Sequence, residues 1–571
     1  LTVYFAAHTT LRVWGRVGCL VGSCSVAQVR EATLAKVFRL VRDRVGRESA
    51  TTFCRRLIDG RGPREIVSLL DQLEPEWSDH AIASAYTILI GAERRKALGA
   101  YFTPPHLVRH LILRMVECGL NLDRDVIHDP AAGGAAFIVP IARRVARAGL
   151  DRGDSPEDVL ADVRARLSGC EIDRGLALIA NALLRRMLRR EFGMAVGPRF
   201  GLVSMGDSLV DQHDGLVDSW IGNPPYAKIG AKGHRRWRAE FSDIAGGQLN
   251  IYAMFLRRGL DRVRTNGLLG FIVPMSFIGS PDYASFRRRL AQMSQIVSID
   301  LIEKRKHVFL DVVQDACFIV VRRLEEALEP ETTGAVSAAC CMVHAEGETE
   351  ALGTVEVSLD GLPWRLPSRG QDGKGGATLS DYGYETRVGY VVPQRVADRM
   401  HRRPAKSRFP LVWAKAVGSD GRFDFMRAEH QSQASGRLWF EAKAMAPYVF
   451  RKPLVVVQRT SNRKQERRIN AAAVPKSFFR EHGGLVGENH VVLVSPIEGR
   501  KPVVPPKDLA ALLNSGPVNE RFGRVCGTVT VSALLLSSLD LPLPQRVLGL
   551  AAKRGEVRDK AVLTAYGEIA R

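Results

Sequence analysis

Leu216-Val-Asp-Ser-Trp-Ile221-Gly222-Asn223-Pro224-Pro225-Tyr226 is the stretch that decides how this chain is read. Its first half, Leu216–Ile221, is a short apolar run of strand type. Its second half is a loop stiffened by two successive prolines, which fix φ and remove two backbone donors. In an open α/β sheet, ligands bind beyond the carboxyl ends of the strands, where this loop falls. A stiff loop there aims two acceptors, the Asn223 side-chain oxygen and the Pro224 carbonyl, at one point. Convergence of that kind suits an exocyclic NH₂ group, which has two hydrogens to donate. Tyr226 adds a flat face for a planar ring. Stripped of chemistry, the same residues make only a proline-stiffened turn.

Outward from this loop, apolar runs alternate with helical patterns. Val126–His128, Leu167–Ile172, Val203–Met205 and Leu268–Val273 read as strands, and Ile138–Ala148, Arg174–Arg190 and Ile251–Val263 as helices. The alternation predicts an α/β domain over residues 81–330, a mostly parallel sheet with helices on both faces. Asp129-Pro-Ala131-Ala-Gly133-Gly-Ala-Ala-Phe137 follows the first strand, with glycines where the chain must turn tightly and let a ligand approach its backbone. Glu171, in Gly169-Cys-Glu171-Ile172-Asp173, ends the second strand, where a carboxylate can accept both hydroxyls of a ribose. Asp207 follows the third and can accept from an amino group. Either acid alone reads equally well as a helix cap.

Composition bounds the rest. The chain has 571 residues, of which 82 are Lys or Arg and 61 Asp or Glu, a formal net charge of +21. That length suggests three or four domain-sized units, and 46% hydrophobic with 25% charged residues excludes global disorder. A positive balance favours a polyanionic partner, although Arg-rich composition alone is common. Nine scattered cysteines form no C-x-x-C pair, which indicates neither a zinc site nor a disulfide framework and suits a reducing, cytoplasmic setting. Arg12 and Arg16 interrupt the one early apolar stretch, arguing against a secretory signal, and no run is long enough to span a membrane.

Residues 1–80 read as a helical, locally basic region, with Val37, Leu40, Val41 and Val45 at helical spacing. Residues 331–385, rich in Gly, Thr, Ser and Glu, read as a connector. Residues 386–571 read as a β-leaning α+β region containing Arg451-Lys452…Arg459-Thr460…Arg463-Lys464…Arg467-Arg468, seven basic residues in 18. Mixed amide and guanidinium groups of this kind can contact phosphates and read base edges, whereas a solvated loop is the plain alternative. Arg287-Arg-Arg289 reads as a solvated helix face. No H-E-x-x-H, phosphate-binding loop or G-x-S-x-G elbow occurs, and no metal is implied.

Taken in order, these motifs resemble the gamma class of DNA adenine-N6 methyltransferases of bacterial restriction–modification systems, closely over residues 95–325 and loosely over 386–571. The resemblance implies a Rossmann-like methyltransferase domain followed by a C-terminal target-recognition domain, with S-adenosyl-L-methionine as cofactor. Tyr101-Phe-Thr103-Pro-Pro105 is similar to the motif that closes over the methionine end of the cofactor. Asp129, Ala131, Gly133 and Phe137 resemble the first cofactor loop, Glu171 with Ile172 the ribose acid and its neighbour, and Asp207 the adenine acceptor. Asn250-Ile-Tyr-Ala-Met-Phe255 matches the helix whose aromatic lies beside the cofactor adenine, here Phe255. Asn223, Pro224, Pro225 and Tyr226 correspond to the catalytic tetrapeptide, and Phe309 to the residue that packs on the extruded base with Tyr226. Arg459, Thr460, Arg463, Lys464 and Asn489 fall in the implied DNA-reading region.

The implied activity is methyl transfer to a flipped-out adenine in duplex DNA, with no membrane partner and with room for a separately encoded restriction endonuclease. The departures are Ala135, which replaces a usual glycine, Ala132, which stands where a cysteine is frequent, and Ser208, which stands where some members carry an aromatic. The diproline loop also fits an N5-glutamine protein methyltransferase or an RNA adenine methyltransferase. Ala135 leaves open a DNA-specificity subunit with a decayed cofactor site.

Overall fold

The computed structural model describes residues 23–567 apart from 92, 96–102, 211–214, 230–233, 247–248, 304–315, 345–346, 368–375, 429–435, 444, 460–466, 526–530 and 538. Two compact units interleave along the chain. One comprises residues to Pro105, Ala132–Arg164 and Glu171–Met205, and the other His106–Ala131, Ala165–Cys170 and all that follows Gly206.

The first unit is helical. α1 (Ser23–Arg42), α2 (Ala50–Ile58), α3 (Arg64–Asp71) and α4 (Pro75–Leu89) come from the basic N-terminal region. Val37 and Val41 are buried, but α1 stops at Arg42, so Val45 lies beyond it and is 50% exposed. α4 runs through the boundary placed at residue 80. With α5 (Pro105–Glu117) assigned below to the other unit, the later helices of this one are α6 (Ile138–Arg152), α7 (Pro156–Arg166) and α8 (Arg174–Phe192). Asp173 caps α8 by accepting from the Leu176 N–H at 3.0 Å, and Gly193 ends it in the left-handed conformation that a Cβ disfavours. Arg143 of α6 bonds Glu191 of α8 at 2.6 and 2.9 Å and Glu76 of α4 at 3.2 Å, tying three helices together.

The larger unit holds a sheet whose strands follow the order β2 (Leu167–Glu171), β1 (Ile127–Asp129), β4 (Val217–Gly222), β5 (Val263–Pro274), β7 (Ala316–Arg323), β6 (Ser294–Ile302), β8 (Ala335–Val343), β9 (Thr349–Ser358). β2, β1, β4 and β5 run parallel, and β7 enters antiparallel between β5 and β6. The short β3 (Val203–Met205) belongs to the first unit. A Cβ at Gly270 of β5 would strike Met115 of α5, while Gly259 of α10 (Ile251–Arg262; α9 is His234–Glu240) lies against Leu269. Successive strand residues point to opposite faces, so α5 and α10 cover opposite sides of the sheet. This is the α/β arrangement expected from the alternation.

Residues 335–358 correct the connector reading. β8 and β9 extend the sheet as an antiparallel pair, with Ala338, Cys340, Val355 and Val357 buried in its core. Their outward residues are Ser, Glu, Thr and Gly, and this polar face masked the alternation. The glycine-rich 369–376 segment lies almost wholly outside the described residues.

Beyond it stand two four-stranded sheets. The first, β10 (Tyr384–Val388), β17 (Val491–Pro496), β14 (Val455–Gln458) and β15 (Ala471–Ala473), packs Val455 and Val457 against apolar residues of later helices, and Val456 into a separate core. The second is β11 (Met400–His401), β13 (Trp439–Glu441), β12 (Arg408–Val412) and β16 (Val486–Gly487). Among the described residues no helix is long and apolar enough to cross a membrane.

Candidate active site

β4 delivers the diproline loop. It is hydrogen-bonded between β1 and β5, with Trp220 and Ile221 buried, so its carboxyl end is held from both sides. Gly222 comes next because nothing larger fits: a Cβ there would sit 2.7 Å from Asp129 Oδ1 at the end of β1. Asn223 then leaves the sheet part-exposed and Pro224 is buried. The Tyr226 hydroxyl donates its one hydrogen to Asn223 Oδ1 at 2.7 Å, with the Ile272 carbonyl a second, longer acceptor 3.2 Å away. Its ring meets Tyr252 edge-on at 6.5 Å. The loop thus carries its own brace, a bond that helps fix which way the Asn223 amide faces. Ala227 accepts from the Ile251 N–H at 3.0 Å, which anchors the far end of the loop to the start of α10.

In the same unit, Asp129 accepts from the Ala131 N–H at 3.1 Å. Asp207 accepts from the Leu209 N–H at 3.0 Å, and the buried Ser208 hydroxyl donates to the Pro130 carbonyl at 2.7 Å. Ser208 therefore ties the loop after β3 to the loop after β1, a role that the residue type alone did not signal. Phe255 is buried in the apolar core on α10.

In the first unit, Glu171 Oε2 accepts from the Gly133 N–H at 2.8 Å and Oε1 from the Asp173 N–H at 2.9 Å. Burial pushes the Glu171 carboxyl above its ordinary range, and the two backbone bonds partly oppose this. Ile172 beside it is 60% exposed, an apolar surface next to a buried acid. Asp173 is held by the Tyr86 hydroxyl at 2.6 Å and by Arg94 at 2.9 Å. Gly133 has φ +52°, and Ala135, only 1% exposed, has φ +62°. The backbone keeps the path of a glycine at that place and carries a methyl group on it. Phe137 and Thr103 are buried; Tyr101 and Phe309 lie outside the described residues.

Residues 203–309 match the model of the Eco57I restriction-modification methylase family. This segment spans the loop after β3, the diproline loop, α10 and β5. Residues 203–309 are thus similar to restriction–modification methylases. Relatives agree over longer stretches. Type II methyltransferase M.BsuBI of Bacillus subtilis is 25% identical over 352 residues, 56% of this chain and 64% of that protein. Type II methyltransferase M.XhoI of Xanthomonas vasicola is 30% identical over 186 residues, 30% of this chain and 33% of that protein. The matches thus span less than two thirds of those relatives. The restriction-modification enzyme MmeI, solved with DNA, aligns at 14% identity with a TM-score of 0.47, covering 89% of this chain and 81% of that one.

The methylase reading calls for a methyl donor, and the groups present fit S-adenosylmethionine. Within the first unit, a buried carboxylate suits the paired hydroxyls of a ribose and an exposed isoleucine the face of a planar ring. The cluster of His110, Asp300 and Cys341 is of another kind. Arg114 bonds both Asp300 oxygens at 2.8 and 2.9 Å and His110 Nε2 lies 3.0 Å from the same carboxylate, so the cation there is a guanidinium. These bonds hold the Asp300 carboxyl down to about 2 against its burial.

Two arginines singled out in the sequence lie among the described residues. Arg287 is not on a solvated face: it is 0% exposed and donates to the carbonyls of Phe277, Ser280, Gly361 and Leu362. A helix end and a loop whose carbonyls need donors take up the guanidinium, and the triple-arginine run concealed this. Arg459 donates to the Asn489 carbonyl at 3.0 Å, which brings these two residues together. Thr460, Arg463 and Lys464 lie outside the described residues.

Proposed function

We propose that the protein is a site-specific DNA methyltransferase that moves a methyl group from S-adenosylmethionine to N6 of an adenine flipped out of duplex DNA, as the modification component of a restriction–modification system. The observation that carries this reading is the braced diproline loop at the end of β4, within the segment that matches the methylase family. In this reading residues 81–330 form the catalytic domain and 386–571 read the target.

Bound S-adenosylmethionine supplies an electrophilic methyl on a sulfonium, and the remaining work falls to the chain. The adenine amine is a poor nucleophile because its lone pair is delocalised into the ring. Asn223 Oδ1 and the Pro224 carbonyl would accept hydrogen bonds from its two N–H groups, hold the nitrogen in line and stabilise the positive charge that develops on it until one of those protons leaves to solvent. The Tyr226 hydroxyl keeps Asn223 turned toward the amine. Base extrusion costs about a few kcal/mol, and stacking on Tyr226 and Phe309 offsets part of it at roughly 1–3 kcal/mol per contact. Glu171 would accept from the ribose hydroxyls of the donor. Ala135 keeps the loop path a glycine would take, which favours a working cofactor site over a decayed one.

Modification-sensitive sequencing of DNA from cells expressing the protein tests the proposal. It should show methylated adenine at one recurring sequence, and adenine left unmodified throughout would overturn it.

A further inference from the structure

The C-terminal region carries a surface that the basic 451–468 stretch does not include. Tyr390 and Tyr448 stack face to face, with centroids 3.8 Å apart and planes 2° from parallel, and Tyr390 is 49% exposed. The Arg399 guanidinium locks the pair, donating to the Tyr448 hydroxyl at 3.1 Å and to the Glu441 carbonyl at 2.7 and 3.1 Å while lying over the Phe440 ring. Met445 stands on the turn that leads into Tyr448, closed by Ala446 N–H to Lys443 and Val449 N–H to Ala446, each at 3.0 Å. It is 91% exposed, more than any other large apolar side chain among the described residues.

Charge decides what such a surface meets. From Arg395 to Arg408 the chain carries Arg395, Arg399, Arg402, Arg403, Lys406 and Arg408 against one acid, Asp398. Arg402, Arg403, Lys406 and Lys443 are exposed, and the neighbouring Glu441 carboxylate is taken by His401 at 3.1 Å. Flat aromatics on segments that carry exposed cations suit a stacked polyanion, and an apolar tip on a turn suits insertion between base pairs.

We propose that Tyr390, Tyr448, Arg399 and Met445 form a stacking contact for duplex DNA, with Met445 as the wedge that enters a base step. This rests on the DNA reading above and adds a contact made by shape and stacking to those made by hydrogen bonds. Arg399 and Tyr448 are held in place by their own hydrogen bonds, so these two lose little side-chain freedom on binding.

The test uses the full chain with Met445→Ala and Tyr390→Ala, each checked for unchanged thermal unfolding. A closed circular plasmid is relaxed by a topoisomerase in the presence of protein, and affinity is read in parallel on a mixed-sequence duplex. The wild-type protein should leave the plasmid unwound. Both variants should lose that effect and bind the duplex roughly tenfold more weakly. Wild-type protein that binds without unwinding, or variants that bind and unwind like it, would overturn the inference. Loss of self-association in the variants with unwinding intact would assign the face to a second copy of the chain and also overturn it. Neither readout requires methyl transfer. Adenine methylation without unwinding would sink the wedge alone, and unwinding without methylation would sink the catalytic reading alone.

Discussion

The loops that leave β1 and β4 start from neighbouring strands and achieve stiffness by opposite means. After β4 the backbone is fixed by proline rings, and the one mobile group, the Asn223 amide, is pinned by Tyr226 three residues on. After β1 there is no proline past Pro130. The chain turns through left-handed dihedrals at Gly133 and Ala135 and is secured from outside, by Glu171 on the Gly133 amide and by Ser208 on the Pro130 carbonyl. A self-braced loop suits a group that must aim at one atom. One braced by distant side chains can adjust around a large ligand.

This contrast can be broken at four places. Asn223→Ala should lower turnover by about 10²–10³-fold or more while donor and DNA affinities survive, since the variant removes the oriented acceptor together with the Tyr226 brace; turnover on DNA and calorimetric titration check both halves. Gly222→Ala forces a methyl to within 2.7 Å of Asp129 Oδ1 and joins the fates of the two loops. It should cost about 1–3 kcal/mol in denaturant unfolding and reduce turnover with it. Tyr226→Phe removes one hydrogen bond to the amide of Asn223, a loss of about 1 kcal/mol that should appear as a several-fold lower kcat with KM for the donor unchanged. A change in KM instead would show that the brace serves the donor. Ala135→Gly works in the other direction. Relieving a methyl at φ +62° should raise stability by about 0.5–1 kcal/mol and leave the catalytic loop untouched, measured as a higher Tm with equal kcat.

How much of this was legible in sequence follows the same division. The strands and the diproline loop could be read because a buried parallel strand is a continuous apolar run and proline punctuates it sharply. Even the departure at Ala135 was visible as a residue, though its left-handed backbone was not. β8 and β9 escaped because an outer antiparallel pair buries one face only and fills the other with Ser, Thr, Glu and Gly. Arg287 escaped because a charged run reads as solvated unless one knows that four carbonyls await it. Ser208 escaped because the partner of its hydroxyl, Pro130, lies 78 residues away. Burial by distant partners leaves no local mark in the chain.

Nucleoside mass spectrometry of duplex DNA, incubated with purified protein and isotopically labelled S-adenosylmethionine, tests the central claim most directly. The account predicts labelled N6-methyladenine with the wild-type chain and essentially none with Asn223→Ala. Label on cytosine, no label at all, or equal N6-methyladenine from both proteins would contradict it.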